Sequence, residues 1–205
     1  MFTNLSDRWV LASNNQGKLK EFKRLFAEAG LPAQVIPQGE LGIDDAIEDG
    51  LSFIENALIK ARHASRTSGL PAIADDSGLC VPILDGKPGI YSARYAGEHG
   101  NSVKNNTKLL ADLESFRRDG TPIIGQFICV LAMVRTADDP LPLITHGIWQ
   151  GEILAEPRGE GGFGYDPIFW LPELGKSASE LKPEEKASLS HRGQAMQKLI
   201  GQLTD

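Results

Sequence analysis

"RWVLASNNQGKLKEFKRLFAEAGLPAQVIP", residues 8–37, contains a strand, a turn and a helix from which the architecture of this protein can be predicted. Trp9–Ala12 is a short apolar segment typical of a buried strand, and apolar side chains then recur at helical spacing from Leu19 to Ala29. Gly30 ends that helix, and a second strand is predicted at Gln34–Ile36. This order favours two parallel strands with a helix on one face of the pair.

Three further helices are predicted downstream. Ser52 and Glu55 form a capping box that starts the second helix of the chain, and leucine spacing predicts a third over residues 105–116. A loop reaching Lys186 then leads to the last helix, which is expected to start at Ser190.

Two later apolar segments, residues 123–134 and 143–154, are predicted to be strands joined by a polar connection. Such neighbours suit an antiparallel hairpin. Because the opening of the chain favours parallel pairing, the sheet is expected to be mixed and the fold class to be α/β.

The composition is that of a folded globular protein without a repeat or a low-complexity tract. The chain has 205 residues, of which 41% are hydrophobic and 23% charged, and this length suits a single domain over residues 1–205. A net charge of −6 argues against a partner that is a nucleic acid polymer. We expect no membrane span and no export signal, and Cys80 and Cys129 lie in different segments, so a cytoplasmic location is expected.

The turn at residues 13–18 lies where a strand leads into a helix, a position at which backbone N–H groups can bind an anion. It lacks the first glycine and the final Ser or Thr of a P-loop. Lys18 and Lys20 lie in the first turn of the helix, where the helix dipole disfavours cations. Either a bound anion offsets that cost or the two lysines are simply solvated.

A similar arrangement occurs at the predicted last helix. His191 and Arg192 follow directly after Ser190, so two basic side chains again lie at a helix start. Either they contact a ligand or they belong to the surface, and the pattern alone favours neither.

"GEGGFG", residues 159–164, matches the spacing of a dinucleotide-binding loop. We reject that interpretation, because Tyr165, Asp166 and a strand-like "IFW" segment follow, so no helix start is available for a pyrophosphate. The loop is either a glycine hairpin with two packed aromatic side chains or a flexible loop that places Phe163 and Tyr165 against a flat ligand.

"PAIADDSGL", residues 71–79, carries two adjacent carboxylates, Asp75 and Asp76, at the end of an apolar run. Neighbouring residues of a strand point to opposite faces, so we expect Asp76 to face a site while Asp75 supports the turn or a nearby basic side chain. No zinc-ligand spacing or nucleophile elbow is present in the sequence. Mg²⁺ typically binds one or two carboxylates, which suits Asp76 with Glu48, and Lys60 becomes a candidate only if its helix face is turned toward the pair.

Six segments, in order, resemble one family, the non-standard purine nucleoside triphosphate pyrophosphatases, also called inosine/xanthosine triphosphate pyrophosphatases. The resemblance covers the chain from about Trp9 to Leu203. The segments are "SNNQGKLKEF", "GLSFIENALIKARHA", "PAIADDSGL", "PGIYSARYAG", "GGFGYDPIF" and "EEKASLSHRGQA". The resemblance implies an elongated mixed α/β fold with two lobes around a central cleft, usually assembled as a homodimer. It also implies Mg²⁺-dependent hydrolysis of ITP, dITP and XTP to the monophosphate and pyrophosphate, which cleanses the nucleotide pool.

The resemblance further implies roles for individual residues. Asp76 would bind the metal and act as the base toward water, and Glu48 would share the metal. The triphosphate would be held by Lys60 and by the turn residues Ser13, Asn14, Asn15, Gln16, Gly17 and Lys18, with Ser77 also contacting the substrate. The pocket for the base and sugar would be formed by Phe163, Gly164, Tyr165, Asp166, Lys186, His191 and Arg192.

Two alternatives remain open. The chain could be a pyrophosphatase of the same fold with a different base preference, or a nucleotide-sensing module without turnover. Asp76, Glu48 and Lys60 together favour an enzyme, because binding alone requires no base.

Overall fold

The computed structural model describes residues 7–28, 30, 34–117 and 120–204, and within these ranges the chain forms seven strands and five α-helices. The strands are β1 (Arg8–Leu11), β2 (Gln34–Pro37), β3 (Ala72–Cys80), β4 (Ile124–Val134), β5 (Leu143–Ile153), β6 (Phe169–Leu171) and β7 (Lys176–Ser177). The helices are α1 (Gln16–Glu28), α2 (Phe53–Ser68), α3 (Ser102–Leu113), α4 (Pro183–Leu189) and α5 (His191–Thr204). Among these described helices, none combines the length and the apolar character that crossing a bilayer requires.

The strands form one mixed sheet in the order β2-β1-β3-β4-β5-β6-β7. β1 pairs in parallel with β2 and with β3, whereas β6 is antiparallel to both β5 and β7. The amide of Ile153 donates to the carbonyl of Ile123 over 2.7 Å, so the end of β5 lies beside the start of β4 and the two strands are antiparallel. The predicted α/β class, the parallel opening and the later hairpin are therefore confirmed.

The described residues fall into two compact units. Unit 1 comprises the described residues up to 76 together with 129–147 and 194–204, and unit 2 comprises 77–117, 120–128 and 148–193. Each unit has its own cluster of buried apolar side chains, and burial of apolar surface is the dominant favourable contribution to folding.

The core of unit 1 is built around α1. Phe22 and Phe26 of this helix pack with Trp9 and Leu131, and each of these side chains is at most 3% exposed. Burial of such a side chain stabilises the fold by about 1.5–3 kcal/mol. The spacing read from the sequence thus buries one face of α1, although Ala29, the last predicted apolar residue of that helix, lies outside the described residues.

The core of unit 2 is rich in aromatic rings. Phe127, Trp149 and Phe169 pack against one another, with ring centroids 4.5–6.3 Å apart. The third predicted helix begins at Ser102, three residues earlier than expected, because the side chain of Asn101 caps it by accepting from the Lys104 amide.

β3 continues through Asp75, Asp76 and Ser77 to Cys80, so the acidic pair lies within a strand, in which neighbouring side chains face opposite ways. One expectation about local structure was wrong. Lys186 lies on α4 and not in a loop; this helix starts with a proline at its first position and acidic residues in its first turn, where the helix dipole favours them.

Candidate functional site

The carboxylate of Asp76 in unit 1 is bound by two side chains of α2. Lys60 Nζ donates to Asp76 Oδ1 over 2.9 Å, and Asn56 Nδ2 donates to Asp76 Oδ2 over 3.4 Å. Lys60 Nζ also lies 3.3 Å from Glu48 Oε1, so one ammonium lies between two carboxylates. Asp76, Lys60 and Glu48, three residues far apart in the sequence, are thereby brought together.

The first turn of α2 is capped in a way that positions Asn56 and Lys60 beside Asp76. Ser52 caps the helix by accepting from the Glu55 amide, and the capping box predicted from the sequence is completed when Glu55 accepts from Ser52 Oγ and from the Leu51 amide. Asn56 and Lys60 follow one turn apart on one face of the helix, which directs both side chains toward Asp76.

Asn56 also fixes the loop that carries Glu48. Its Oδ1 accepts from the Gly50 amide over 2.9 Å, and the residue has no exposed surface. A Cβ at position 50 would lie 2.7 Å from that Oδ1, so only glycine allows the loop to approach this closely. One asparagine therefore ties the Glu48 loop and Asp76 to the same helix.

Burial and charge shift the titration of this group. Burial raises the pKa of Asp76 above its ordinary value, and this effect exceeds the lowering caused by Lys60. Burial lowers the pKa of Lys60, but the carboxylates of Asp76, Asp75 and Glu48 outweigh it and hold that pKa above its ordinary value. Lys60 is therefore charged at neutral pH, and Asp76 is a stronger base than an exposed aspartate.

The two carboxylates also fit a divalent cation. Asp76 and Glu48 each place an oxygen within 3.3 Å of one ammonium, so both face the same positive charge. Mg²⁺ commonly binds one or two protein carboxylates and completes its coordination with water and substrate phosphate. Within the described ranges no cluster of three or more His, Cys, Asp or Glu side chains is arranged to bind a metal. Asp76 and Glu48 are the candidate ligands because their oxygens face one positive charge.

Asp75 faces a different partner from Asp76. Its Oδ1 accepts from Lys18 Nζ over 2.8 Å, and its side chain is 1% exposed while that of Lys18 is 25% exposed. The alternation of a strand separates the two carboxylates, as expected. Asp75 thus supports a neighbouring basic side chain, which was one of its two predicted roles.

The turn before α1 is stabilised by its own polar side chains. Ser13 Oγ accepts from the Asn15 amide, and Asn15 Oδ1 accepts from the Lys18 amide and so caps the helix. Asn14 Oδ1 accepts from the Gly39 amide over 2.8 Å. Gln16 and Gly17, in the first turn of α1, are exposed.

In unit 2, Asp166 and Lys186 form an ion pair beside Phe163. Asp166 Oδ2 accepts from the Phe163 amide over 2.7 Å, and Lys186 Nζ lies 4.5 Å from the centroid of the Phe163 ring. Lys186, Asp166 and Phe163 therefore form one contact group, although α4 and the glycine loop are about twenty residues apart in the sequence.

The two aromatic side chains of that loop have different environments. Phe163 is 66% exposed, whereas Tyr165 is 4% exposed and its hydroxyl donates to the Ser92 carbonyl over 2.9 Å. Burial raises the pKa of Tyr165 above its ordinary value. Of the two rings expected to face a flat ligand, Tyr165 is packed in the core and Phe163 is available at the surface of the unit.

His191 and Arg192 lie in the first turn of α5. His191 is 7% exposed, and its ring is stacked on that of Phe127 with centroids 5.0 Å apart and planes 12° apart. Gly193 follows, and a Cβ there would lie 1.9 Å from the carbonyl oxygen of Ala187, so glycine lets α4 approach this turn closely. Ser77, the remaining predicted substrate contact, lies on β3 and is half-buried.

Asn56 is a functional residue that was not predicted from the sequence. Polar residues on a helix face are usually solvated, and Asn56 lies on the same face of the predicted helix as Lys60. Its spacing of four residues from Lys60 was the available signal, because both side chains must then point the same way.

Comparison with known proteins places this architecture in a family. The model of the Ham1 family matches residues 9–202. The chain belongs to the Ham1 family.

Relatives with curated names are similar over almost the whole chain. A protein of Acinetobacter baumannii named dITP/XTP pyrophosphatase is 68% identical over 92% of this chain and 90% of its own length. A protein of Yersinia pseudotuberculosis with the same name is 54% identical over 96% of this chain and 98% of its own length. Among solved structures, the Ham1 protein of Coxiella burnetii superposes with a TM-score of 0.91 at 46% identity, covering 97% of this chain and 99% of that one.

Proposed function

We propose that this protein is a nucleoside triphosphate pyrophosphatase that converts dITP, ITP and XTP to the monophosphate and pyrophosphate and so cleanses the nucleotide pool. The observation that carries the proposal is the position of Lys60 between Asp76 and Glu48. This arrangement of one lysine and two carboxylates occurs in a chain that is 68% identical to a protein named dITP/XTP pyrophosphatase.

Unit 1 supplies the chemistry of phosphate cleavage in this proposal. In this proposal the activated water attacks the α-phosphorus, and hydrolysis between the α- and β-phosphates requires that this water be aimed at phosphorus and that the phosphate oxygens be neutralised. Asp76 accepts the proton of that water, directly or through an ordered water, and Asn56 holds the carboxylate in position. Lys60 and Lys18 supply positive charge to the triphosphate. Asp76 and Glu48 hold Mg²⁺, which when bound neutralises phosphate charge and activates water.

The residues of the turn at 13–18 and Ser77 contact the phosphates. The support for this role is the start of α1, where backbone N–H groups and the helix dipole favour an anion. The side chains of Asn14 and Asn15 keep the turn in shape through their own hydrogen bonds, so the backbone is the part of the turn that meets the substrate.

In this proposal, residues of unit 2 recognise the base of the substrate. The exposed ring of Phe163 provides a stacking surface, and Asp166 with Lys186 provides polar groups beside it. His191 and Arg192 provide donors for a 6-oxo purine. Those donors would face the exocyclic amine of adenine and remain unpaired, which disfavours ATP.

We also propose that the protein is a homodimer located in the cytoplasm, as the resemblance and the composition suggest. Light scattering coupled to size-exclusion chromatography tests the dimer, and a mass equal to that of one chain would contradict it.

Pyrophosphate release from a panel of nucleoside triphosphates tests the function. The panel contains dITP, ITP, XTP, GTP, ATP and the pyrimidine triphosphates, with and without Mg²⁺. We expect release from the first three, little from ATP, and a loss of roughly 10²–10⁴-fold in Asp76→Asn, the range typical of a general base. Asp49→Asn is the matched control, because Asp49 is an exposed carboxylate next to Glu48.

Other results of the nucleotide panel would favour a different function. No release from any triphosphate would favour the sensing module. Comparable turnover of ATP or of pyrimidine triphosphates would retain the chemistry but reject the proposed base preference. Orthophosphate in place of pyrophosphate would place the cleaved bond at the γ-phosphate.

A further inference from the structure

Gly164 is held at both of its backbone polar groups by one helix. Its amide donates to Ser102 Oγ over 3.2 Å, and its carbonyl accepts from Asn106 Nδ2 over 3.1 Å. Ser102 and Asn106 are one turn apart on α3, so they share a face of that helix. All three residues belong to unit 2.

The segment held in this way is the one that carries the exposed ring. Gly164 has φ +62°, a left-handed conformation, and it joins the exposed Phe163 to the buried Tyr165. The Phe163 amide is itself bound by Asp166. The backbone around Phe163 is therefore fixed from three directions while its ring remains open to a ligand.

The environment of Asn106 indicates that the contact with Gly164 is its role. The residue is 8% exposed, and its Oδ1 has no hydrogen-bond partner among the described residues. The amide nitrogen must face Gly164, because a carbonyl oxygen can only accept. A buried acceptor without a donor is unfavourable, so an apolar residue would suit this position better if the bond to Gly164 were not needed.

We propose that Ser102 and Asn106 are positioning residues for base recognition, which hold Gly164 so that the ring of Phe163 is oriented to stack on the purine of the substrate. This inference rests on the proposed function. Neither residue touches the substrate; both act through the backbone of the loop. A binding site is more selective when its contact groups are held by supporting residues than when they are mobile.

The test compares a substrate that carries a base, dITP, with an inhibitor that carries none, inorganic tripolyphosphate. Ser102→Ala and Asn106→Asp each remove one bond to Gly164. Thr107→Ala is the matched control, because within the described ranges the Thr107 hydroxyl bonds to the Val103 carbonyl of the same helix over 2.9 Å and not to the glycine loop. Steady-state kinetics with dITP gives kcat and KM, and inhibition by inorganic tripolyphosphate reports the phosphate end alone. Thermal unfolding identifies variants that fail to fold.

Loss of either bond is expected to raise the KM for dITP about 3- to 10-fold, the range of a single hydrogen bond, with kcat and the tripolyphosphate inhibition constant changed less than about twofold. Thr107→Ala should behave like the wild type. The double variant should raise KM by less than the product of the two single effects, because both bonds hold one residue.

Two results would overturn the inference. One is a wild-type KM in folded Ser102→Ala, and the other is an equal loss of affinity for tripolyphosphate, which would indicate a general structural role. Should Asn106→Asp fail to fold, Ser102→Ala alone decides. A wild-type protein without any turnover of dITP would refute the proposed function as well, whereas normal wild-type turnover with unchanged variants would refute this inference only.

Discussion

Replacing Asp75 by asparagine separates the roles of the two adjacent carboxylates of β3. Asp75 is almost completely buried, and its oxygen lies 2.8 Å from Lys18 Nζ. Asparagine keeps the shape of the side chain and removes its charge. Lys18 then loses the ion pair that holds its ammonium at the start of α1, while Asp76 keeps its contacts with Lys60 and Asn56.

The size of the effect follows from the geometry of the pair. Two unit charges 2.8 Å apart attract each other by about 6 kcal/mol at an effective dielectric constant of about 20. Loss of hydration offsets most of this, and a hydrogen bond between charged groups contributes about 1.5–3 kcal/mol in net terms. Because asparagine can still accept from Lys18, we expect a loss of about 1.4 kcal/mol, which lowers kcat/KM about tenfold.

The assay is pyrophosphate release from ITP by four variants: Asp75→Asn, Asp76→Asn, Lys18→Met and the double variant Asp75→Asn/Lys18→Met. Asp76→Asn should lose roughly 10²–10⁴-fold in kcat, and Asp75→Asn only the tenfold stated above. In the Lys18→Met background, Asp75→Asn should cause a smaller further loss than in the wild type, because most of the effect of Asp75 passes through Lys18 while its charge also acts on Lys60. Circular dichroism confirms that each variant is folded.

Two results would refute this reasoning. If Asp75→Asn is as inactive as Asp76→Asn, the two carboxylates share a role. If the losses in the double variant multiply, Asp75 contributes to turnover independently of Lys18.

Three further predictions address other parts of the structure. Gly193→Ala should cost about 1–3 kcal/mol of stability and raise KM, because the Cβ of the new alanine would collide with the carbonyl oxygen of Ala187. Gly201→Ala is the control for thermal unfolding and kinetics, because a Cβ at that position of the same helix would meet no neighbouring atom. Arg135 holds the pKa of Asp139 below its ordinary value. The ionised Asp139 therefore stabilises the folded protein fully above about pH 4, and this contribution is lost as the pH falls further. The Tm of Asp139→Asn should be about 3–6 °C below that of the wild type at pH 7, and the two Tm values should converge in acid. Chelation of divalent cations should abolish pyrophosphate release and added Mg²⁺ should restore it, and release that persists in the chelator would contradict the proposed metal site.

The sequence predicted the parallel opening of the sheet well, because its signals are local. The helical spacing of apolar residues in α1 and the stop at Gly30 lie within thirty residues, and each follows a strong rule of helix periodicity or termination. The hairpin of β4 and β5 was found for the same reason. By contrast, α4 was missed: it has seven residues, too few for a visible period, and Pro183 was taken as part of a loop.

The partners of the acidic pair could not be predicted from local propensity. Aspartate and glycine are uncommon in strands, so propensity alone did not decide whether the strand continues through the pair. In the structure it does, and Lys18 and Lys60 bind the two carboxylates. These partners come from different helices, and no rule of spacing along the chain predicts them.

The glycine loop shows a second limit. Phe163 and Tyr165 are two residues apart, so an extended chain would place both rings on one face. Gly164 has a left-handed conformation between them and turns one ring into the core and the other outward. Ser102 and Asn106 gave no signal at all, because their role depends on a loop about sixty residues away.

Hydrolysis of ITP in isotopically labelled water tests the central claim most directly, because the label marks the phosphorus that water attacks. In the proposed mechanism, water activated by Asp76 attacks the α-phosphorus, so the heavy oxygen should appear in the monophosphate and not in the pyrophosphate, and Asp76→Asn should incorporate it far more slowly. Label in the pyrophosphate, or equal incorporation by Asp76→Asn and the wild type, would contradict the account.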